Sequence, residues 1–272
     1  MKHMKPRRDI VVDVDIDEHC AVEFSNLGEV KKKGLGYYSL TDSTVILSIA
    51  GKQVEIRQNP NMLYSHKGET GSIMWRASVI CLEYLLSQEW FIDGLGNQQI
   101  IELGAGISGI AAIMLGDKVE KYIATDVEHI LKYLDRNIRE NNTLEPEIKK
   151  KQSKLKKTNV SVMELDWTKH PKTYLKNLEN TLNESSKNLC ILAFDTIYNP
   201  HVTTHFVNTL TSLFKHFYQK YENIVAIICQ ELRSYDTLYD FFEKMQSYFY
   251  MQAILDQQLQ RGYQIYIAQS RQ

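Results

Sequence analysis

A glycine-rich turn directly follows a short apolar run near the middle of the chain. The run is Gln99–Leu103, and the turn reads Glu102-Leu-Gly-Ala-Gly-Ile-Ser-Gly109. Because glycine lacks a Cβ, the backbone at Gly104 and Gly106 can approach a ligand closely, and Gly109 allows the next helix to pack near the strand. The pattern predicts the end of a parallel strand that holds a nucleotide-like cofactor.

The glycine spacing does not by itself identify the cofactor, since it fits nicotinamide and flavin dehydrogenases as well as methyltransferases. A second short strand, Tyr122–Asp126, ends in an acidic residue roughly twenty positions later, where a carboxylate can accept both ribose hydroxyls. The chain therefore contains a predicted βαβ nucleoside site. An aspartate that only caps the following helix, Val127–Asn137, would have the same residue type.

The composition and length favour a single domain that carries additional segments. The chain has 272 residues, of which 43% are hydrophobic and 10% aromatic, enough to bury a full core. We divide it into an N-terminal arm with a β-rich lead-in, residues 1–66, and a main domain, residues 67–272. The formal net charge of -1 argues against broad binding of nucleic-acid backbones. Neither the single cysteines nor the histidines have metal-ligand spacing, so no metal site is predicted.

No apolar run approaches the roughly twenty residues that span a bilayer, and the basic N-terminus, Met1–Arg8, lacks a following signal segment. We therefore expect an intracellular monomer, in the cytoplasm or also the nucleus, whose first residues are disordered. Two polar segments, Glu147–Lys157 and Thr168–Lys187, are predicted loops. The lysine-rich first segment is either a solvated surface or a contact for an acidic partner or RNA.

Local patterns predict the elements before the glycine turn. Residues Asp9–Phe24 alternate as a strand does, and Ser43–Ile56 resembles a hairpin turned at Gly51-Lys52. Apolar residues at three- and four-residue spacing over Gly71–Leu86 predict an amphipathic helix, with Trp75 at its beginning.

The C-terminal half decides between fold families. The predicted strands there are Asn159–Trp167, Leu189–Asp195, Asn223–Cys229, Ala253–Leu259 and Tyr263–Ala268. Dehydrogenase folds continue with parallel crossovers, whereas two closing strands joined by a short turn at Arg261-Gly262 must be antiparallel. The predicted fold class is therefore α/β, with a Rossmann-like seven-stranded mixed sheet as in class I S-adenosylmethionine methyltransferases.

Four motifs stand at the predicted strand ends, namely Glu102-x-Gly-x-Gly-x-x-Gly109, Asp126, Leu165-Asp-Trp167 and Asp195-Thr-Ile-Tyr198. In this order they resemble the seven-β-strand protein lysine methyltransferases of methyltransferase family 16. The resemblance spans roughly Ser43 to the C-terminus. Glu102–Ile110 and Phe194–Asn199 are most similar to the fungal ribosomal lysine N-methyltransferase 5 branch of that family.

The resemblance implies S-adenosyl-L-methionine as cofactor and a pocket lined by Trp75, Glu102, Gly104, Ala105, Gly106, Asp126, Asp166, Trp167 and Phe194. Asp126 would bind the ribose, Asp166 and Trp167 would flank the adenine, and Glu102 would lie near the methionine ammonium. For each aromatic residue taken singly, plain core packing explains its presence as well. Phe194 is bulkier than the residue at that position in several family members, which changes the shape of the pocket.

Asp195 and Tyr198 mark the predicted reaction end, because ligands of open α/β sheets bind at the carboxyl ends of the strands. A lysine with a pKa near 10.4 requires about 4.6 kcal/mol to lose its proton at pH 7. Asp195 is expected to orient the substrate amine and Tyr198 to shape the slot. The resemblance implies a protein substrate, first a ribosomal protein of the large subunit and second an elongation factor.

Two other functions remain open at this point. Methyltransferases that act on nucleic-acid bases hold the amine with an Asn/Asp-Pro-Pro-aromatic tetrad, and Asp195-Thr-Ile-Tyr198 lacks both prolines. A non-catalytic binding module with the same fold is the other alternative, since fold does not guarantee function.

Overall fold

The computed structural model of the protein describes residues 4–28, 36–65, 70–143 and 159–271. The strands in these ranges are β1 (Val11–Asp13), β2 (Thr44–Ile49), β3 (Lys52–Arg57), β4 (Gln99–Leu103), β5 (Lys121–Asp126), β6 (Val160–Glu164), β7 (Asn188–Phe194), β8 (Asn223–Glu231), β9 (Phe249–Ile254) and β10 (Tyr263–Ser270). The α-helices are α1 (Ile16–Leu27), α2 (Pro60–Ser65), α3 (Arg76–Ser87), α4 (Glu89–Leu95), α5 (Ile110–Leu115), α6 (Glu128–Thr143), α7 (Leu175–Thr181), α8 (Pro200–Phe217) and α9 (Tyr235–Met245).

One large sheet has the strand order β1-β9-β10-β8-β7-β4-β5-β6. The strands from β8 to β6 pair in parallel, whereas β10 is antiparallel to both β8 and β9. This confirms the predicted α/β class with its mixed sheet and antiparallel closing hairpin. An additional strand, β1, pairs antiparallel with β9 at the edge.

The sheet is covered on both faces, which explains why its central strands are apolar throughout. Along β7, Cys190, Leu192 and Phe194 belong to one core cluster, while Ile191 and Ala193 belong to the other. The first cluster also contains residues of α3, α5 and α6, and the second contains residues of α7, α8 and α9. Because the parallel strands end in register, their carboxyl ends form one continuous edge.

The expected strand over Asp9–Phe24 is wrong beyond Asp13, because α1 begins at Ile16. Asp15 caps this helix, its side chain accepting a hydrogen bond from the Glu18 backbone N–H at 3.1 Å. The apolar spacing from Ile16 onward has a helical period, and it outweighs the short alternation before it.

The N-terminal arm is only partly outside the fold. Met4 is buried, and it lies against Gly94 of α4. Expected disorder of the whole arm is therefore wrong at this residue, because the methionine finds an apolar site.

Further boundaries differ from the predicted ones. Strand β9 runs over Phe249–Ile254 instead of Ala253–Leu259, and residues 255–262 form the connection to β10. The segment Thr168–Lys187 contains a short 3-10 helix and α7, whereas Glu147–Lys157 lies outside the described residues.

The predicted hairpin over Ser43–Ile56 is confirmed as β2 and β3, which form a separate two-stranded sheet, but its turn lies at Ala50-Gly51 and not at Gly51-Lys52, because Ile49 pairs with Lys52. Its turn at Ala50 and Gly51 has positive φ at both residues, as a two-residue turn of this kind requires. Within the residues that the structure describes, none of the helices combines the length and apolar character that crossing a membrane requires.

Candidate active site

The glycine turn between β4 and α5 has a left-handed backbone at its three glycines. Gly104, Gly106 and Gly109 have φ of 70°, 60° and 53°. A Cβ at Gly104 would lie 3.1 Å from Cζ2 of Trp167 and 3.3 Å from Cγ2 of Thr196. The turn therefore leaves a close-fitting concave backbone beside an indole ring, at the edge where the strands end.

Asp126, the last residue of β5, connects this turn to the following helix. Its Oδ2 accepts a hydrogen bond from the Gly106 N–H at 2.7 Å, and its Oδ1 accepts one from the Val127 N–H at 2.8 Å. Burial raises the pKa of Asp126 to about 6, while these two hydrogen bonds act in the opposite direction. The carboxylate faces the glycine turn, where a ribose hydroxyl would be recognised.

The segment that leads into α3 crosses over the glycine turn. The Gly71 carbonyl accepts a hydrogen bond from the Ile107 N–H at 2.9 Å. The indole N–H of Trp75 donates to the Thr70 carbonyl at 2.8 Å, which fixes the ring at the start of the helix. Residues 70–75 thus form one wall of the site.

The side chain of Asn137, in α6, is hydrogen-bonded to the glycine turn. Its side-chain N–H groups donate to the carbonyls of Ile107 at 2.7 Å and of Arg57 at 2.8 Å, and its oxygen accepts from the Arg57 N–H at 2.9 Å. One buried amide therefore ties the β2–β3 hairpin and the glycine turn to the same helix.

Trp167 and Thr196 approach the glycine turn from the other face of the sheet. The Trp167 ring packs edge-on against Phe206 at 5.3 Å. Its buried Nε1 and the buried Oγ1 of Thr196 have no hydrogen-bond partner among the residues that the structure describes. Both side chains lie beside Gly104, where each has a donor available for a polar ligand.

Asp195 follows β7 and has a left-handed backbone, with φ of 59°. Its Oδ1 accepts hydrogen bonds from Nη1 of Arg233 at 2.6 Å and from Nε2 of Gln230 at 3.0 Å, and Arg233 Nη2 donates to its Oδ2. The side chain is only 3% exposed. The expected substrate-orienting carboxylate is therefore part of a buried ion pair.

Arg233 contacts both Asp195, after β7, and Trp75, before α3. Its guanidinium lies 5.3 Å from the Trp75 ring centroid, and its Nη2 also contacts Glu231 Oε2 at 2.9 Å. Burial lowers the pKa of Arg233, but its hydrogen bonds and charge pairing with Asp195 and Glu231 outweigh this and raise the pKa above its usual value. The guanidinium is therefore a permanent cation between the two carboxylates.

Tyr198 lies near Thr70 and within the influence of the carboxylates of Asp126 and Asp195. Burial raises its pKa, a hydrogen bond with Thr70 opposes that shift, and the charges of Asp126 and Asp195 raise it further. The phenol is thus close to the wall formed by residues 70–75 and remains protonated at neutral pH.

Glu102 lies in β4, directly before the glycine turn. It is 2% exposed and accepts a hydrogen bond from the Tyr122 hydroxyl at 2.8 Å. Burial raises the pKa of Glu102 to about 7, although the hydrogen bond from Tyr122 lowers it. The carboxyl group is therefore close to the midpoint of its titration at neutral pH.

The structure brings most of the predicted site residues to one edge of the sheet, with Trp75, Gly104, Ala105, Gly106, Asp126, Trp167, Asp195 and Tyr198 all located there. The other three predicted residues have partners inside the protein, among them Glu102, which binds the Tyr122 hydroxyl. Phe194 is buried in the core on the α3 side, and Asp166 accepts hydrogen bonds from the backbone and hydroxyl of Thr168 in its own turn.

Sequence reasoning missed three polar residues at the end of β8, namely Gln230, Glu231 and Arg233. A usable signal was present, because charged residues follow a buried apolar strand there, as they do at Asp126 and Asp195. The described residues contain no group of three or more His, Cys, Asp or Glu side chains that could hold a metal ion.

Relatives with similar sequences carry the following names. A Schizosaccharomyces pombe protein named diaminohydroxyphosphoribosylamino-pyrimidine deaminase is 33% identical over 238 residues, covering 86% of this chain and 52% of the relative. This chain thus spans about half of that relative's length. Ribosomal lysine N-methyltransferase 5 of Zygosaccharomyces rouxii is 27% identical over 266 residues, covering 88% of this chain and 80% of the relative.

Solved structures with a similar chain trace include a methyltransferase from Pyrococcus furiosus. Its TM-score is 0.44 at 15% identity, covering 74% of this chain and 90% of that one. The family assignment rests on sequence and not on this likeness. A sequence model of a protein family described as lysine methyltransferase matches residues 56–248. This range is well over half of the chain and includes the glycine turn, Asp126, Asp195 and Arg233. The chain therefore belongs to the lysine methyltransferase family.

Proposed function

We propose that this protein transfers a methyl group from S-adenosyl-L-methionine to a lysine side chain of a ribosomal protein of the large subunit. The observation that carries the proposal is the meeting of a left-handed glycine turn, Asp126 and the Asp195–Tyr198 segment at one edge of the sheet. Family membership and the names of the relatives support the reaction class.

The residues on the cofactor side suit an adenosine with an amino-acid tail. Gly104 and Gly106 leave room for close backbone approach, and Asp126 offers carboxylate oxygens to a ribose. The buried indole N–H of Trp167, which lacks a partner among the described residues, would gain one from a polar ligand. When bound, S-adenosyl-L-methionine supplies an electrophilic methyl group on a sulfonium.

The residues on the acceptor side suit an amine. Asp195 presents a carboxylate, and Tyr198 supplies an aromatic wall with a protonated hydroxyl. A lysine ammonium that enters this slot would lose its proton to water, which would leave a lone pair on the amine for the methyl group that S-adenosyl-L-methionine supplies. The protein's contribution is to orient the amine and to exclude other nucleophiles.

The ribosomal substrate is supported by relatives named ribosomal lysine N-methyltransferase 5, among them one from Saccharomyces cerevisiae that is 32% identical over 199 residues. We infer the same substrate class for this chain. An elongation factor, a nucleic acid and a non-catalytic role are the outcomes that the following experiment separates.

The experiment is transfer of a radiolabelled methyl group to proteins of a fungal lysate that lacks this enzyme, followed by mass spectrometry of the labelled band. One band that carries methyl-lysine in a large-subunit protein is the expected result. Label that disappears after RNase treatment would contradict the proposal, as would binding of S-adenosylhomocysteine without transfer to any protein.

Two matched variants refine this test. Y198F removes one hydroxyl inside the slot and is expected to lower the transfer rate by about tenfold, because it removes one polar contact near the reacting groups. Y218F removes the same atom from an exposed tyrosine that follows α8, and it should leave the rate unchanged. Equal rates in both variants would remove Tyr198 from the reaction.

A further inference from the structure

Three charged side chains meet where β7 and β8 end, and sequence reasoning assigned a role to only one of them. Asp195 is 3% exposed, Glu231 10% and Arg233 21%. Arg233 Nη2 donates to both carboxylates, to Oδ2 of Asp195 and to Oε2 of Glu231. The guanidinium is therefore shared between two buried acids instead of being paired at the surface.

The two oxygens of Asp195 have different surroundings. Oδ1 accepts hydrogen bonds from Arg233 Nη1 at 2.6 Å, from Gln230 Nε2 at 3.0 Å and from the Glu231 backbone N–H at 3.4 Å. Oδ2 accepts one, from Arg233 Nη2, among the residues that the structure describes. A carboxylate oxygen has acceptor capacity for about two donors, so Oδ2 is the atom with capacity left for an amine.

Several constraints fix the direction of this carboxylate. The left-handed backbone of Asp195 is strained for a residue other than glycine, so surrounding contacts must hold it. The fork of Arg233 holds both oxygens at once, and the guanidinium carbon lies 5.3 Å from the Trp75 ring centroid. A lysine at position 233 would keep the charge and lose the fork.

We propose that Arg233 is the positioning residue of the acceptor side: held between Glu231 and Trp75, it aims Oδ2 of Asp195 at the substrate amine. The inference rests on the proposed function, because it concerns the binding of an amine to that site.

Removal of the cation has a chemical consequence. Without it, the carboxylates of Asp195 and Glu231 lose the guanidinium donors that hold them, and Oδ2 of Asp195 is no longer fixed in direction.

The test compares R233Q, R233K and the double variant E231Q/R233Q. Methyl transfer to proteins of large ribosomal subunits is measured as kcat and KM, and S-adenosylhomocysteine binding is measured by calorimetry. R233Q is expected to lower kcat/KM on the order of 100-fold, while S-adenosylhomocysteine binding stays at the wild-type level. R233K should lower the rate by about tenfold, because its charge remains and only the fork is lost.

The double variant separates positioning from folding. E231Q/R233Q should be as slow as R233Q, because removal of the second acid relieves the uncompensated buried charge but does not restore the fork that holds Oδ2. The matched control is R271Q, because Arg271 also lies over an aromatic ring, Tyr250 at 4.5 Å, at the opposite end of β10. It should keep the wild-type rate.

Two results would overturn the inference alone: an active wild type with an unchanged kcat/KM in R233Q, or a loss of cofactor binding in R233Q as large as its loss of rate. Failure of the wild type to label any protein would overturn the proposed function, and this inference with it.

Discussion

Gly109→Ala tests why the turn has glycine at position 109. A larger residue there either clashes with α6 or is disfavoured only because the backbone is left-handed. Gly109 has φ of 53°, and a Cβ there would lie 2.6 Å from Leu134 Cδ1 and 2.9 Å from Ile138 Cγ1. Both side chains belong to α6 and are buried. The methyl group therefore has no direction in which to displace them without disturbing the core.

Gly51→Ala is the matched control, since Gly51 has φ of 80° and a Cβ there would meet nothing within 4 Å. Each substitution places a non-glycine residue in the left-handed region, which costs about 1–2 kcal/mol. Gly109→Ala adds overpacking, which costs about 1–3 kcal/mol more. We expect the free energy of unfolding to fall by about 1–2 kcal/mol for G51A and by about 2–5 kcal/mol for G109A.

Urea unfolding followed by tryptophan fluorescence and by circular dichroism measures both losses. Leu134→Ala in the G109A background supplies the decisive comparison, because removal of the clashing side chain should make the two losses less than additive. Equal losses for G109A and G51A, or full additivity of G109A with L134A, would refute the steric argument.

Three other changes give measurable effects. E102Q should remove a pH dependence of stability: burial raises the pKa of Glu102 from 4.5 to about 7, so the folded state keeps its proton longer than the unfolded state, and stability falls by about 3 kcal/mol as pH rises through that window. N137A should lower the free energy of unfolding by about 2–4 kcal/mol, because it leaves buried groups of Arg57 and Ile107 without their amide partner. G104A should weaken S-adenosylhomocysteine binding by about tenfold or more, since a methyl group there fills the concave turn.

Each of these has a result that would contradict it. Wild type and E102Q with parallel stability profiles between pH 5 and pH 8 would show that Glu102 does not titrate in that window. An N137A protein with wild-type stability would mean that water replaces the lost amide. Unchanged calorimetric affinity in G104A would place the ligand away from Gly104.

Features determined by short-range patterns were predictable. The turn after β4 needs three glycines because three residues have positive φ, and this requirement is visible in the residue types themselves. The hairpin of β2 and β3 was predictable for a related reason, since alternation and a turn glycine lie within one short segment.

Predictions failed where two local patterns compete. The alternation before Ile16 indicated a strand over Asp9–Phe24, and the helical period that starts there overrides it once Asp15 caps the helix. In the closing hairpin, β9 begins at Phe249 because it must pair with β10 from Ser270 inward. That register depends on the partner strand and not on β9 alone.

The sequence by itself determined the α/β class, the glycine turn and the acidic residues that end β5 and β7, because residue type and spacing encode backbone conformation and burial. Only the tertiary structure decided that Arg233, which follows β8, holds Asp195, which follows β7, and lies over the ring of Trp75 before α3. These residues are far apart in the chain, and their meeting depends on the order in which parallel strands assemble. Charge pairing across strands acts through space, so no local pattern records it.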